Sequence, residues 1–199
     1  RTGQGQLIDL ALLDSQIAWL INEGVNYLTW GKEPVRRANA HSNIVPYDVF
    51  PTADGYVILA IGNNGQYVKF CDFAGKPEMA TDERFLSNDL RVRNRDAITP
   101  LLRQMTVMKT TDEWVNGLAP LGVPSAPVNT VPQAFSDPQV QHREMAIDMN
   151  HPAAKDGLCH LIGNPINLSE TPVSYRRPPP MVGEHTDEVL REAGYSEAE

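Results

Sequence analysis

Cysteine is nearly absent from this sequence: Cys71 and Cys159 are the only two in 199 residues. Two thiols in a chain of this length make no disulfide framework, which fits a reducing, cytoplasmic setting. No apolar stretch approaches the ~20 residues of a membrane span, so no membrane partner is expected. Positive charge is in deficit, with 17 Lys and Arg against 25 Asp and Glu and a formal net charge of -8. Nucleic-acid binding needs clustered Lys and Arg to neutralise phosphates, so no nucleic-acid partner is expected either. The nearest basic cluster is Arg91, Arg93 and Arg95. A spacing of two scatters it around a helix, and it reads as a solvated face.

The common motifs of chemistry are also missing. His41, His142, His151, His160 and His185 have no short ligand spacing, and Cys159 adjoins His160 directly, so no metal is expected. There is no Gly-x-Ser-x-Gly elbow, no Walker sequence and no GxGxxG. The carboxylate pairs Asp112-Glu113 and Asp187-Glu188 sit where a helix N-terminus favours negative charge. The start, RTGQGQLIDL, has neither an initiator Met nor a signal-peptide pattern and reads as the middle of a longer protein.

What is present is ordinary globular material, 41% hydrophobic and 21% charged. A chain of this length can bury roughly 70% of its unfolded surface, in one domain or two small ones. Residues 7–13 are apolar except for Asp9 and predict a buried strand. Asp14 or Ser15 is placed to cap a following helix whose apolar face is Ile17, Ala18, Leu20, Ile21 and Val25. Residues 31–40 read as a linker. Further on, Ile98, Leu101, Leu102 and Met105 form a helical stripe in which Pro100 fits only as a helix start. Thr110 with Glu113 is a capping box, and Trp114 behind it reads as core. Five prolines between 120 and 138 favour an extended crossing with short turns. Strands are predicted at 145–149 and 158–162, around Asp156-Gly157. A last helix is predicted from Thr186, as its cap, to Gly194.

Residues 41–70 organise the rest. Tyr47, Val49 and Phe50 make a short apolar segment, Asp54-Gly55 a hairpin turn, and residues 56–61 a strand of the kind buried on both faces. The strand stops at Gly62-Asn63-Asn64-Gly65-Gln66. Tyr67, Phe70, Cys71 and Ala74 then give helical spacing, with Cys71 as a small buried hydrophobe. A glycine-bearing loop that opens onto a helix N-terminus presents backbone N–H groups to an anion or carbonyl. The same pattern also serves as a plain tight turn.

The stretch PYDVFPTADGYVILAIGNNGQYVKFC resembles the family III CoA-transferases, the group of formyl-CoA transferase, carnitine-CoA transferase and 2-methylacyl-CoA racemase. TGQGQLIDLALLDS from Thr2, DERF from Asp82, GVPSAPVNT from Gly122 and GEHTDEVLREAGY from Gly183 resemble it in the same order. The resemblance implies an α/β fold, with a small α+β domain at 32–125 flanked by pieces of a larger Rossmann-like domain at 1–31 and 126–199. It implies transfer of CoA between an acyl-CoA and a carboxylic acid, through an aspartyl-CoA thioester and without metal. Coenzyme A enters as substrate, and the enzyme is an interlocked homodimer.

The resemblance makes Gly62, Asn63, Asn64, Gly65 and Gln66 the glycine loop that closes over the intermediates and excludes water. Asn63 and Asn64 depart from the family's richer glycine content, and Asn tolerates φ > 0 better than most residues. The nucleophilic Asp is expected upstream of Thr2, so this chain alone is expected to be inactive. His41 is placed near the hinge between domains. A racemase acting α to an acyl-CoA thioester remains an alternative. So does a non-catalytic acyl-CoA-binding or oligomerisation module.

Overall fold

The computed structural model describes residues 3–196. The chain divides into two compact units, one ending at Val128 and one beginning at Asn129. Both are mixed helix and strand, and the architecture is α/β in the broad sense. The strand pairings among the described residues are all antiparallel.

The first unit opens with helices α1 (Leu12–Ala18) and α2 (Ile21–Trp30), neither of which buries a residue. The expected strand over residues 7–13 is not formed. A strand needs a neighbour to satisfy its ladder of N–H and C=O groups, and none among the described residues pairs with this segment. Leu7 is instead 93% exposed and Leu12, already helical, 90%. Asp14 and Ser15 lie inside α1 rather than before it, and the Ser15 hydroxyl donates to the Ala11 carbonyl at 3.0 Å.

The core begins at β1 (Tyr47–Pro51), which pairs with β2 (Tyr56–Ala60) in a hairpin with Phe50 opposite Val57. Strand β3 (Ser125–Pro127) returns on the other edge of β2, giving the order β1-β2-β3. Val57, Leu59 and Ile61 are wholly buried, but Ile58 is half-buried and Tyr56 exposed. The sheet thus has one core face, not the two that the continuous apolar run suggested. On that face lie α3 (Asn64–Phe73), α4 (Glu78–Thr81), α5 (Asn88–Arg93), α6 (Arg95–Thr106) and α7 (Thr111–Leu118).

Trp114 of α7 is buried among them. Its Nε1 donates to the Thr106 carbonyl at 2.7 Å, with Phe70 stacked at 5.7 Å and Phe73 edge-on at 5.5 Å. The capping box forms as read: Thr110 N–H donates to Glu113 Oε2 at 2.7 Å, and Glu113 N–H to Thr110 Oγ1 at 3.2 Å. Helix α6 starts five residues before Pro100, not at it. Pro100 lies on the exposed side, so the carbonyl it strands can reach water, and burial of Ile98, Leu102 and Met105 offsets the defect.

The second unit holds α8 (Val131–Ser136), α9 (Pro138–His142), the hairpin β4 (Ala146–Asn150) and β5 (Leu158–Ile162), and α10 (Thr186–Glu192). Of the prolines expected to mark an extended crossing, Pro127 lies in strand β3, whereas Pro132 and Pro138 start two short helices in whose first turns no N–H is missed. Thr186 is the first helical residue of α10, not its cap; His185 holds the cap position. Gly194 ends that helix with φ +91. No helix of the described residues is long and apolar enough to cross a membrane.

Candidate functional site

Strand β2 and helix α3 meet at residues 61–66, and short-range hydrogen bonds define the junction. Ile61 is buried and its N–H donates to the Pro46 carbonyl at 3.0 Å, which fixes the end of the strand. Asn63 is the N-cap, extended at φ -149 and ψ 168, and its Oδ1 accepts from Gln66 N–H at 2.9 Å. The Gln66 side chain turns back in return. Its Oε1 accepts from Gly62 N–H at 2.9 Å, while its Nε2 donates to the Gly122 carbonyl at 3.1 Å. Lys69, one turn on, donates to the Leu121 carbonyl at 3.0 Å. The junction is thereby tied to the turn before β3, a link that no local pattern in the sequence announces.

Residues 62–65 are exposed. Neither Gly62 nor Gly65 has a left-handed φ, so the expected left-handed freedom is unused. A Cβ at Gly62 would meet only Gln66 Oε1 at 3.7 Å, and one at Gly65 only Asn63 Oδ1 at 3.4 Å. The asparagines act through their side chains, not through φ > 0: Asn63 caps the helix, and Asn64 Oδ1 accepts from Arg91 Nη2 at 3.0 Å. The N–H groups of Asn64 and Gly65 have no acceptor among the described residues and lie at the positive end of the α3 dipole.

Arg91 is the residue that sequence reasoning missed. It is wholly buried, not part of a solvated face. Its Nε donates to the Val45 carbonyl at 2.7 Å, Nη1 to the Phe85 carbonyl at 2.9 Å, and the guanidinium lies 4.3 Å from the centre of the Tyr67 ring. One side chain therefore ties the approach to β1, the DERF segment and the start of α3. Its burial lowers its pKa from the ordinary arginine value, against the pull of Tyr67 and Cys71. A signal was available: the stripe Ile98, Leu102, Met105, stepped back by seven from Ile98, lands on Arg91.

His41 is held as a structural residue. Its ring stacks on Tyr47 at 5.1 Å, its Nδ1 accepts from Asn43 N–H at 3.1 Å, and its carbonyl accepts from Arg95 Nη2 at 2.7 Å.

The junction offers donors but no nucleophile. Burial pushes the Cys71 thiol up to about 11, so it is not a thiolate near neutrality, and burial also raises the Tyr67 phenol. Among the described residues, no group of three or more His, Cys, Asp or Glu could hold a metal ion. What 62–66 can do is present two free amides and uncluttered backbone to a carbonyl or an anion.

The family model described as CoA-transferase family III matches residues 1–186. A succinate–glutarate CoA-transferase of Agrobacterium fabrum is 42% identical over 193 residues, which are 96% of this chain and 48% of that protein. The human succinyl-CoA:glutarate CoA-transferase is 36% identical over 192 residues, 96% of this chain and 43% of its own. Among solved structures, a CAIB/BAIF family protein from Brucella suis has a TM-score of 0.77 at 40% identity, covering 96% of this chain and 49% of that one. The chain spans about half the length of the curated relatives it matches.

Proposed function

The chain belongs to CoA-transferase family III, and from that premise we propose that the complete protein moves coenzyme A from an acyl-CoA to a carboxylic acid. The substrates are dicarboxylic acids of the succinate and glutarate kind, a reading supported by the relatives' names. An aspartate upstream of Thr2 is the nucleophile. Its carboxylate attacks the acyl-CoA thioester and releases CoA thiolate, leaving a mixed anhydride. The thiolate then attacks the aspartyl carbonyl, giving an aspartyl-CoA thioester and freeing the first acid. The acceptor carboxylate attacks that thioester and expels CoA thiolate, forming a second mixed anhydride, and the thiolate then attacks the acceptor's carbonyl and releases the aspartate carboxylate. Residues 62–66 cover the intermediates and exclude water, and the free amides of Asn64 and Gly65 face a carbonyl oxygen. The protein works in the cytoplasm as an interlocked homodimer.

The observation that carries the role of 62–66 is that the local fold does not need its glycines. Both have ordinary φ and room for a Cβ, so their bareness serves close approach by something else. Gly65 occupies the first turn of α3, where Ala is the better helix former by about 1 kcal/mol. Gly65→Ala in the complete enzyme should therefore melt no lower than the parent. Transfer should nevertheless slow, and hydrolysis of acyl-CoA should rise relative to transfer, with thioester exchange followed by mass. A tenfold change in that partition needs about 1.4 kcal/mol of differential barrier. An unchanged ratio in the folded variant would reduce the junction to a strand-to-helix turn. In the same assay this chain alone should show no exchange; turnover at an enzymatic rate would mean that the nucleophile is misplaced.

A further inference from the structure

Away from that junction, the first unit carries a groove of about 720 Å³ whose charge is opposite to that of the chain. Five arginines line it: Arg36 and Arg37 from the segment before β1, Arg93 from α5, and Arg95 and Arg103 from α6. Asp48 and Asp96 are the acidic residues of its lining. The lining thus bears three net positive charges in a chain whose formal charge is -8. None of the five guanidinium groups forms an ion pair with a carboxylate among the described residues. Arg95 spends one nitrogen on two backbone carbonyls, those of His41 at 2.7 Å and Ser42 at 3.0 Å, and so is held in place without being neutralised. Burial, and after it the charge of Arg37, lowers the Arg95 pKa, while Asp48 and Asp96 act the other way. Guanidinium groups gathered with too few carboxylates repel one another, and an added anion relieves that.

We propose that this groove binds a small phosphorylated anion carrying two or more phosphate groups. The cations of the lining are arginines and include no lysine. The planar fork of arginine matches phosphate oxygens two at a time, where an ammonium acts as a point charge. Three net charges match a diphosphate or triphosphate, and a monocarboxylate would leave two uncompensated. The groove is roomy enough to admit such an anion. This site is independent of the reading of residues 62–66 and would stand if that reading failed.

Titration calorimetry of the full chain with inorganic pyrophosphate and with tripolyphosphate, at fixed ionic strength, tests the proposal. The expected result is saturable binding of one anion, with citrate and sulfate weaker by about tenfold or more. Arg36→Ala combined with Arg93→Ala should weaken pyrophosphate by about tenfold or more and leave the melting temperature unchanged, since neither side chain makes a hydrogen bond or ion pair among the described residues. Arg37→Gln is the second variant and should act in the same direction. Arg176→Ala, outside the groove, should change nothing. Binding weaker than about 1 mM, binding that survives the groove substitutions in folded protein, or citrate binding as tightly as pyrophosphate would each overturn it.

Discussion

Two glycines on neighbouring helices show why a residue's role depends on what surrounds its missing side chain. At Gly65 a Cβ finds ordinary space, whereas at Gly117 of α7 it would overlap the Phe73 ring atoms Cζ and Cε2. Phe73 stands edge-on to Trp114 with Lys109 over its ring, so making room means giving up those contacts. Replacing Gly117 by Ala gains about 1 kcal/mol of helix propensity, but overpacking costs about 1–3 kcal/mol. Sterics win: Gly117→Ala should lower the urea midpoint with an unchanged slope, opposite in sign to Gly65→Ala. A midpoint at or above the parent's would show that α7 and Phe73 can part cheaply. Neither sign was legible in the sequence, where both residues read only as glycines. Arg91 is the same lesson with a charge. Its type and the i, i+2 spacing pointed to solvent, and only its register with the stripe of α6 pointed inward.

At the scale of elements, what was legible is what short spacing determines. The β1–β2 hairpin around Asp54-Gly55, the start of α3 and the Thr110/Glu113 box each depend on residues within a few positions, and each forms. The sites that escaped depend on distant partners, such as Gln66 reaching Gly122 and Arg91 reaching Val45. The β4–β5 hairpin was read from its strands and turn, but its cross-strand chemistry was not. Asp148 stands opposite His160, with Asp148 Oδ1 2.7 Å from His160 Nδ1, and Asp156 Oδ2 lies 3.4 Å from the other ring nitrogen. Hydrogen bonds to Asp148 and then Asp156 raise the His160 pKa above its ordinary value of 6.5. The folded state binds this proton more tightly than the unfolded one. The contribution to stability is therefore fully present below about pH 6.5 and is lost as pH rises through the raised folded value. A proton NMR titration should place the His160 imidazole above 6.5, and Asp148→Asn should bring it down. A titration at or below 6.5 in the parent would show the two carboxylates to be solvated apart from the ring.

For the whole molecule, the opening segment decides how the chain behaves in solution. Its apolar density was legible, but its fate was not. Residues 7–13 read as a buried strand because burial is the usual destination of such a run, yet the described chain provides no strand beside it. Leu7, Leu12, Trp19 and Leu28 are each at least 82% exposed, and Ile17 of α1 and Ile21 and Val25 of α2 lie open as well. Apolar surface on this scale promotes association when it is left open to water. The core around Trp114 is separate in composition and well packed, so association and core stability should respond to different substitutions. Light scattering should give an apparent mass above the 22.1 kDa of one chain, rising with concentration. Leu12→Lys combined with Leu28→Lys should lower that mass. The unfolding midpoint measured at low protein concentration should not move, because neither side chain is buried. A single species at the monomer mass across the concentration range would show that this face is adequately solvated as it stands.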